Sequence, residues 1–410
     1  MRPRRVLLLT SNFPRWSGDT TTPFVLNLAA DLQDHGWQVE VVAPHAPGAK
    51  RNESLGGVQI RRFRYMLPES KQTVAYEGGA LINLRRNKAN WLKVPFLVLA
   101  ELVTTVRLLI TRRYALVNAH WILPQGFVGA LAGGLTRTPL VTTVHGGDVF
   151  DLQGKSLVRF KGWALHRSQV VTVNSSATEA AVYKLAPSAD IRRIPMGVDV
   201  SPPDAEHASA LRLRHRNGDG PLVVFVGRLV LEKGVDDLIR AIAILREELP
   251  ETTALIGGTG QDEPELVRLR DHLGIGDCVT FTGWIEPEEV RAYLAAADVF
   301  AGPSKQAESG WREGLGLVFL EAMAAGTPVV ATASGGITDI VRDVETGLLV
   351  AEGAPDEIAN AIARIHNDPP LRKRLVDNGR NQVIESFSRD SSAASFAKLF
   401  SEITAGRRLV

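Results

Sequence analysis

Two glutamates eight residues apart, Glu313 and Glu321, bracket the segment Gly-Leu-Gly-Leu-Val-Phe-Leu. Gly314 and Gly316 let the backbone come close to a ligand. The helix expected to start near Leu317 directs unpaired N–H groups and the positive end of its dipole at the same point, which suits a phosphate. Glu321 falls about one turn inside that helix, roughly 6 Å further along. Carboxylates accept hydrogen bonds from hydroxyls. A ligand with hydroxyls on either side of a phosphate fits this layout, and a nucleotide sugar has that form. Taken alone, the segment reads equally well as a glycine loop before an ordinary helix.

A second group follows the apolar run Leu222–Val226, where Gly227-Arg228 is succeeded by Glu232-Lys233-Gly234 and a helix expected from Val235. Two cations five residues apart, after a strand and before a helix, suit a diphosphate. They would stabilise charge on a departing nucleotide, as Mg²⁺ does elsewhere. The chain shows no Asp-x-Asp pair of divalent-metal character and no His/Cys cluster with zinc spacing. Catalysis without a metal or other cofactor is therefore expected.

A third group is Thr142-Thr-Val-His145-Gly-Gly-Asp148. A histidine at the carboxyl end of a strand, beside two glycines that open space, is a stronger site candidate than a lone histidine elsewhere. Asp148 could orient His145, touch an acceptor or cap the following helix. His120-Trp121-Ile-Leu-Pro-Gln125-Gly126 could line an acceptor side or simply pack. Asn12 through Thr20 forms a first β–α loop, and Gly257-Gly258-Thr259-Gly260 another. The chain lacks Gly-x-Gly-x-x-Gly and the P-loop pattern, which argues against a dinucleotide oxidoreductase and a P-loop kinase.

Together these segments resemble family 4 glycosyltransferases, and the resemblance extends over nearly the whole chain. It implies a GT-B fold, with two Rossmann-like domains facing across a cleft and a last helix that crosses back to the first. It assigns Glu313 to the transferred sugar, Glu321 to the ribose hydroxyls, and the Gly316, Leu317 and Val318 amides to the diphosphate. Arg228 and Lys233 take the diphosphate as well. His145 contacts the donor sugar on domain closure, and Gly258 lies near base and ribose. His120 and Gln125, with Asp148, line the acceptor side. The family usually places a Gly-Gly pair in the first loop against the phosphate; here it is Gly18-Asp19.

The reaction implied is transfer of a hexosyl group from a UDP- or GDP-sugar to a hydroxyl of a sugar or lipid-linked acceptor, with retention at the anomeric carbon. A double displacement needs a carboxylate beside that carbon, and Glu313 is assigned to sugar hydroxyls instead. A same-face route is the family expectation, with the departing phosphate accepting the acceptor proton. Bacterial relatives often build surface polysaccharides or glycolipids. Two other readings are a non-hydrolysing nucleotide-sugar epimerase and a non-catalytic partner subunit binding nucleotide sugar or lipid. The first needs an acid–base pair for proton abstraction, and no clear acidic pair exists beyond the donor motif. Intact Arg228, Lys233, Glu313 and Glu321 weigh against the second.

The remaining sequence describes what must position these groups. With 410 residues, 45% hydrophobic and 22% charged, the chain has the composition of a soluble globular protein of two or three domains. One cysteine, Cys278, excludes an intrachain disulfide and fits a reducing cytoplasm; it reads as a small core residue. Val6–Leu9 is too short for a signal segment and reads as a buried strand.

Charge is divided unevenly. Residues 1–200 carry 25 Lys/Arg against 13 Asp/Glu, and residues 201–410 carry 22 against 32. The basic side chains cluster at Arg2, Arg4 and Arg5; Arg61, Arg62 and Arg64; Arg85, Arg86 and Lys88; and Arg112 and Arg113. Such a half could meet an anionic membrane or a phosphate-bearing acceptor on the cytoplasmic face. Nucleic acid is not expected, because no aromatic-interleaved basic platform is present. Residues 94–111 are apolar but interrupted by Glu101 and Arg107, so the default is a buried amphipathic helix, with a membrane-dipping one as the alternative.

Short β-rich runs alternate with helical runs, the signature of parallel α/β architecture. Strands are expected at 5–10, Val39–Ala43, Ala115–Ala119, Leu140–Val144 and Val170–Asn174. A second series covers Leu222–Gly227, Thr253–Gly257, Val279–Thr282, Val299–Ala301, Pro328–Ala331 and Gly347–Val350. The expected domains are 1–198 on the acceptor side, 199–387 binding the nucleotide sugar, and 388–410 as the returning helix. The segment around 195–203 serves as linker, and the insert Glu308–Arg312 could shape selectivity.

Overall fold

The computed structural model describes residues 4–19, 21–76, 79–307 and 310–406. Arg2, Thr20, Glu308 and Ser309, singled out above, lie outside them. The chain divides into two compact units, one of residues 1–197 and 389–410, the other of residues 198–388.

In the first unit the elements are β1 (Arg5–Leu9), α1 (Pro23–Asp34), β2 (Gln38–Pro44), β3 (Asn52–Leu55), β4 (Val58–Phe63), α2 (Ala80–Arg86), α3 (Val94–Thr111), β5 (Leu116–His120), α4 (Phe127–Thr136), β6 (Leu140–Val144), α5 (Gly147–Phe150), α6 (Lys155–Arg167), β7 (Val170–Val173), α7 (Ser176–Leu185) and β8 (Ile191–Arg193). The sheet order is β3-β4-β2-β1-β5-β6-β7-β8, parallel except for the β3–β4 hairpin. Strands β1, β5, β6 and β7 are buried along almost their whole length because both faces carry helices.

In the second unit they are α8 (Ala205–His215), β9 (Leu222–Val226), α9 (Val235–Glu248), β10 (Thr253–Gly257), α10 (Glu263–His272), β11 (Val279–Gly283), α11 (Pro287–Ala296), β12 (Val299–Gly302), α12 (Leu317–Ala324), β13 (Val329–Thr332), β14 (Leu348–Val350), α13 (Pro355–Asn367) and α14 (Pro369–Gln382). Six parallel strands run in the order β11-β10-β9-β12-β13-β14. The order reverses between β9 and β12, and ligands of open α/β sheets bind at the carboxyl ends of strands beside such a switch. The loops carrying Arg228, Lys233, Glu313 and the Gly316 turn all follow β9 or β12.

The last helix, α15 (Arg389–Gly406), belongs to the first unit. Arg389 grips Asp31 of α1 with two bonds of 2.5–2.9 Å, and Phe400 meets Trp37 edge-on at 5.4 Å.

Two features differ from expectation. The hairpin β3–β4 was not read as strand, because its arginines masked the alternation Val58, Ile60, Arg62 on the buried side. Arg62 is only 3% exposed and pairs with Glu53 at 2.5 Å, so it cannot meet a headgroup. Arg61 and Arg112 share Glu40, and Arg64 pairs with Glu69. Much of the apparent basic surface is thus neutralised within the unit.

Helix α3 is not buried, contrary to the default reading. Only Leu97, Glu101 and Thr105 are buried, while Phe96, Leu99, Val103 and Ile110 are 55–72% exposed along its outer side. Segment Lys88–Thr111 reaches a mean hydropathy of 1.8, so by length and composition alone it could cross a membrane.

Candidate active site

In the second unit, β12 delivers the chain into the loop that ends at α12. Gly316 caps that helix with φ +85°, and a Cβ there would lie 2.7 Å from the Phe319 ring. Glycine is therefore required twice, by backbone and by space. Phe319 in turn stacks edge-on against Phe300 of β12 at 5.3 Å, which anchors the helix start to the sheet. The N–H groups of Leu317 and Val318 open the helix and donate to nothing among the described residues. Such a pair of helix-opening donors suits an anion.

Glu313 precedes this turn. Its carbonyl accepts the Gly336 N–H at 2.8 Å, which fixes the backbone. Its carboxylate pairs with Lys233 Nζ, both side chains being mostly covered at 12% and 17% exposure. Lys233 also lies 5.7 Å above the Trp311 ring. The approach of the two loops is set by Gly234, whose added Cβ would lie 1.9 Å from the Pro303 carbonyl. Lys305 holds the neighbouring helix start, donating to Asp236 at 2.8 and 2.9 Å and to Asp237 at 3.0 Å. Arg228 is exposed and makes no ion pair among the described residues.

Glu321 faces out of the first turns of α12. Burial raises its carboxyl pKa, opposed by the charge of Arg291. No side-chain hydrogen bond to it exists among the described residues. A largely desolvated carboxylate with no hydrogen-bond partner among the described residues is well suited to receive ligand hydroxyls. Gly258 has φ +123°, and an added Cβ would lie 1.8 Å from the Gly227 carbonyl. Its first role is thus to let the β10 loop pack on the β9 loop that carries Arg228.

In the first unit, His145 follows β6. Its ring lies between Trp121 at 4.9 Å, Phe24 at 5.2 Å and His120 at 5.1 Å, the last nearly parallel. Its Nε2 shares a hydrogen bond of 3.0 Å with His120 Nδ1. Burial holds the His145 pKa down to about 3, and burial followed by the neighbouring His145 pushes His120 well below its usual value. Both imidazoles are neutral at physiological pH, so His145 acts as a hydrogen-bonding group rather than a cation.

Asp148 is committed to the backbone. It accepts the N–H groups of His145 and Gly146 at 3.0 Å and of Ile122 at 2.9 Å. Of the roles open to it, orienting the His145 loop is realised by these bonds, and Asp148 also lines an apolar pocket of the first unit. Asn174 adds a bond to the His145 carbonyl at 3.2 Å, and buried Lys161 donates to the carbonyls of Val149 and Asp151. Nothing in the sequence pattern marked Lys161 or Lys305. The sequence marks Asn174 only as the end of a strand.

Two further expectations change. His120 is fully buried and reaches the site only through His145. Gln125, also 0% exposed, points inward and donates to the carboxyl of Glu101 on α3 at 3.3 Å. It does not line an acceptor surface. The Glu101 carboxyl is raised to about 8 by burial, with the Gln125 bond opposing.

This pair predicts a pH effect. The unfolded chain releases the Glu101 proton near 4.5 and the folded one near 8, so stability is fully present below about 4.5 and is lost as pH rises through about 8. The loss is at most ~1.4 kcal/mol per pH unit. Glu101→Gln raises the melting temperature at pH 8.5 and changes it little at pH 5. Equal shifts at both pH values would contradict the assignment.

In the first loop, Gly18 adopts φ +83° with open space around it. Asp19 closes the loop, accepting the Arg15 side chain and backbone N–H at 2.7 Å and the Thr21 hydroxyl at 2.9 Å. Burial raises the Asp19 carboxyl, but these bonds outweigh it and hold the pKa at about 2. Cys278 is buried in the second unit, its thiol directed to the Ile275 carbonyl.

Two units built on largely parallel sheets, the second opening α12 between two carboxylates, have the architecture of the GT-B class of glycosyltransferases. The likenesses agree. The family description "Glycosyltransferase Family 4" matches residues 22–202, and "Glycosyl transferases group 1" matches residues 212–382. A GDP-mannose-dependent alpha-(1-6)-phosphatidylinositol monomannoside mannosyltransferase of Mycolicibacterium smegmatis is 36% identical over 293 residues, covering 70% of this chain and 75% of its own length. Among solved structures, a sucrose-phosphate synthase from Thermosynechococcus elongatus superposes with a TM-score of 0.76 at 24% identity, over 98% of this chain and 100% of the other. WaaG, a glycosyltransferase involved in lipopolysaccharide biosynthesis, gives 0.65 at 18%, over 97% and 99%. The chain belongs to glycosyltransferase family 4 and is a hexosyltransferase.

Proposed function

We propose that this enzyme transfers a hexosyl group from a nucleoside-diphosphate sugar to an acceptor hydroxyl in glycolipid or surface polysaccharide synthesis, with retention. The observation that carries the donor assignment is the α12 start. The Leu317 and Val318 N–H groups and the Glu321 carboxylate make no hydrogen bond among the described residues, and they stand beside Glu313 with Lys233 adjoining. In this reading the diphosphate takes Lys233, Arg228 and the two amides, the ribose takes Glu321, and Glu313 turns from Lys233 to the sugar. His145 supplies a neutral hydrogen-bonding imidazole to the donor sugar. The mannosyltransferase likeness favours a GDP-sugar, with mannose as the first hexose to test.

The chemistry asked of the protein is positioning and electrostatic stabilisation, the departing phosphate itself accepting the acceptor proton. Fixed cations supply the charge, so turnover persists in EDTA and the product keeps the donor's anomeric configuration. A strict Mg²⁺ requirement would refute the cation assignment, and an inverted product would refute the same-face route.

The location proposed is the cytoplasm, with peripheral contact to the inner membrane face through α3. Its exposed side presents Phe96, Leu99, Val103 and Ile110, with Arg107 and Arg113 unpaired among the described residues. Such a side suits an interfacial helix. Salt-sensitive sedimentation with anionic liposomes is expected, weakened in Leu99→Asp. Absence of sedimentation at low salt would leave the enzyme in solution.

A further inference from the structure

The first unit contains an apolar pocket of about 510 Å³ that the donor assignment does not use. Leu84 of α2 and Val98 of α3 form one wall, and Phe127, Leu157 and Phe160 form the other. Its size and lining are those of a site for a largely apolar ligand. The inner end is different in kind. There the pocket meets Ser11 and Asn12 after β1, and Gly147 and Asp148 at the start of α5. The Asn12 Oδ1 is buried and has no hydrogen-bond partner among the described residues. Trp121 lines the pocket and also packs on the His145 ring at 4.9 Å. The outer end is marked by Trp91 and Phe160, 42% and 48% exposed. Trp91 lies in the turn Lys88–Lys93 before α3, whose Val94, Leu97 and Val98 also line the pocket.

A pocket lined mostly by apolar side chains, with Ser11, Asn12 and Asp148 as its polar residues, has the polarity of an amphiphile. We infer that the acceptor carries a hydrocarbon chain, and that this chain lodges between Leu84, Val98, Phe127 and Phe160 with its hydroxyl-bearing end toward Ser11 and Asn12. This deepens the transferase reading and rests on it. A purely saccharide acceptor would leave the pocket's apolar walls facing water. The unpaired Asn12 oxygen is satisfied by the acceptor's polar end in this arrangement.

The test uses the full-length protein and three probes, methyl, octyl and dodecyl mannoside, below their micellar concentrations. Binding is read by calorimetry. Affinity is expected to rise about tenfold or more from methyl to octyl, because each buried methylene is favourable. Val98→Trp fills the pocket from one wall and Leu157→Trp from the other, and each removes this gain. Leu99→Asp, on the outer side of α3, leaves it intact, which separates the pocket from the membrane-facing surface. Nucleoside diphosphate binding, measured in each variant, reports folding and the donor site independently. Chain-length-independent affinity, or a gain unchanged in both tryptophan variants, overturns the inference while leaving the donor assignment standing. Loss of the gain in Leu99→Asp alone overturns it too, placing the alkyl chain on the helix surface.

Discussion

Lys233→Ala lowers turnover by about 10²–10³-fold with the fold intact, the loss typical of removing one preorganised electrostatic stabiliser. The reason lies in how the side chain is held. The turn Leu231–Lys233 and the close Gly234–Pro303 approach bring its ammonium to Glu313, above Trp311. It is therefore fixed before any donor arrives and costs no reorganisation when the nucleotide leaves. Removal also strands Glu313 without its cation, so kcat falls more than donor affinity. Steady-state kinetics at saturating donor checks this. A change confined to donor KM would mean that Lys233 only binds and does not stabilise the departing diphosphate.

Glu321→Ala raises donor KM by about tenfold to a hundredfold, the loss expected when charge-assisted hydrogen bonds to ligand hydroxyls vanish. The carboxylate contributes little to the empty protein, since it is raised by burial and has no hydrogen-bonding partner among the described residues. Its removal should leave the melting temperature unchanged or higher. That combination, weaker donor binding without lost stability, distinguishes a ligand-receiving residue from a structural one. A destabilised Glu321→Ala with unchanged KM would put Glu321 in the architecture instead.

How much the sequence disclosed follows from the range of each interaction. The strands at Val6–Leu9 and Leu222–Val226 were legible because burial on both faces leaves continuous apolar runs. The α12 start was legible because glycine and the following apolar helix are local signals. The hairpin β3–β4 was not, since its buried Arg62 depends on Glu53, nine residues away across the turn. Gln125 was misread because its partner Glu101 lies on another helix, 24 positions earlier. Asp148 showed the opposite limit. Its three capping bonds are local in part, yet the Ile122 N–H comes from a separate loop. The outward side of α3 is apolar apart from Arg107 and Thr111 near its end, and periodicity cannot tell a core-facing residue from one that meets something other than water.

The most direct measurement is calorimetric titration of GDP, UDP and ADP into the wild-type enzyme and Glu321→Ala, in EDTA. One nucleotide, GDP on the mannosyltransferase likeness, should bind the wild type tightly and the variant at least tenfold more weakly. Binding of none of the three, or equal binding to both proteins, would contradict the placement of the donor at α12.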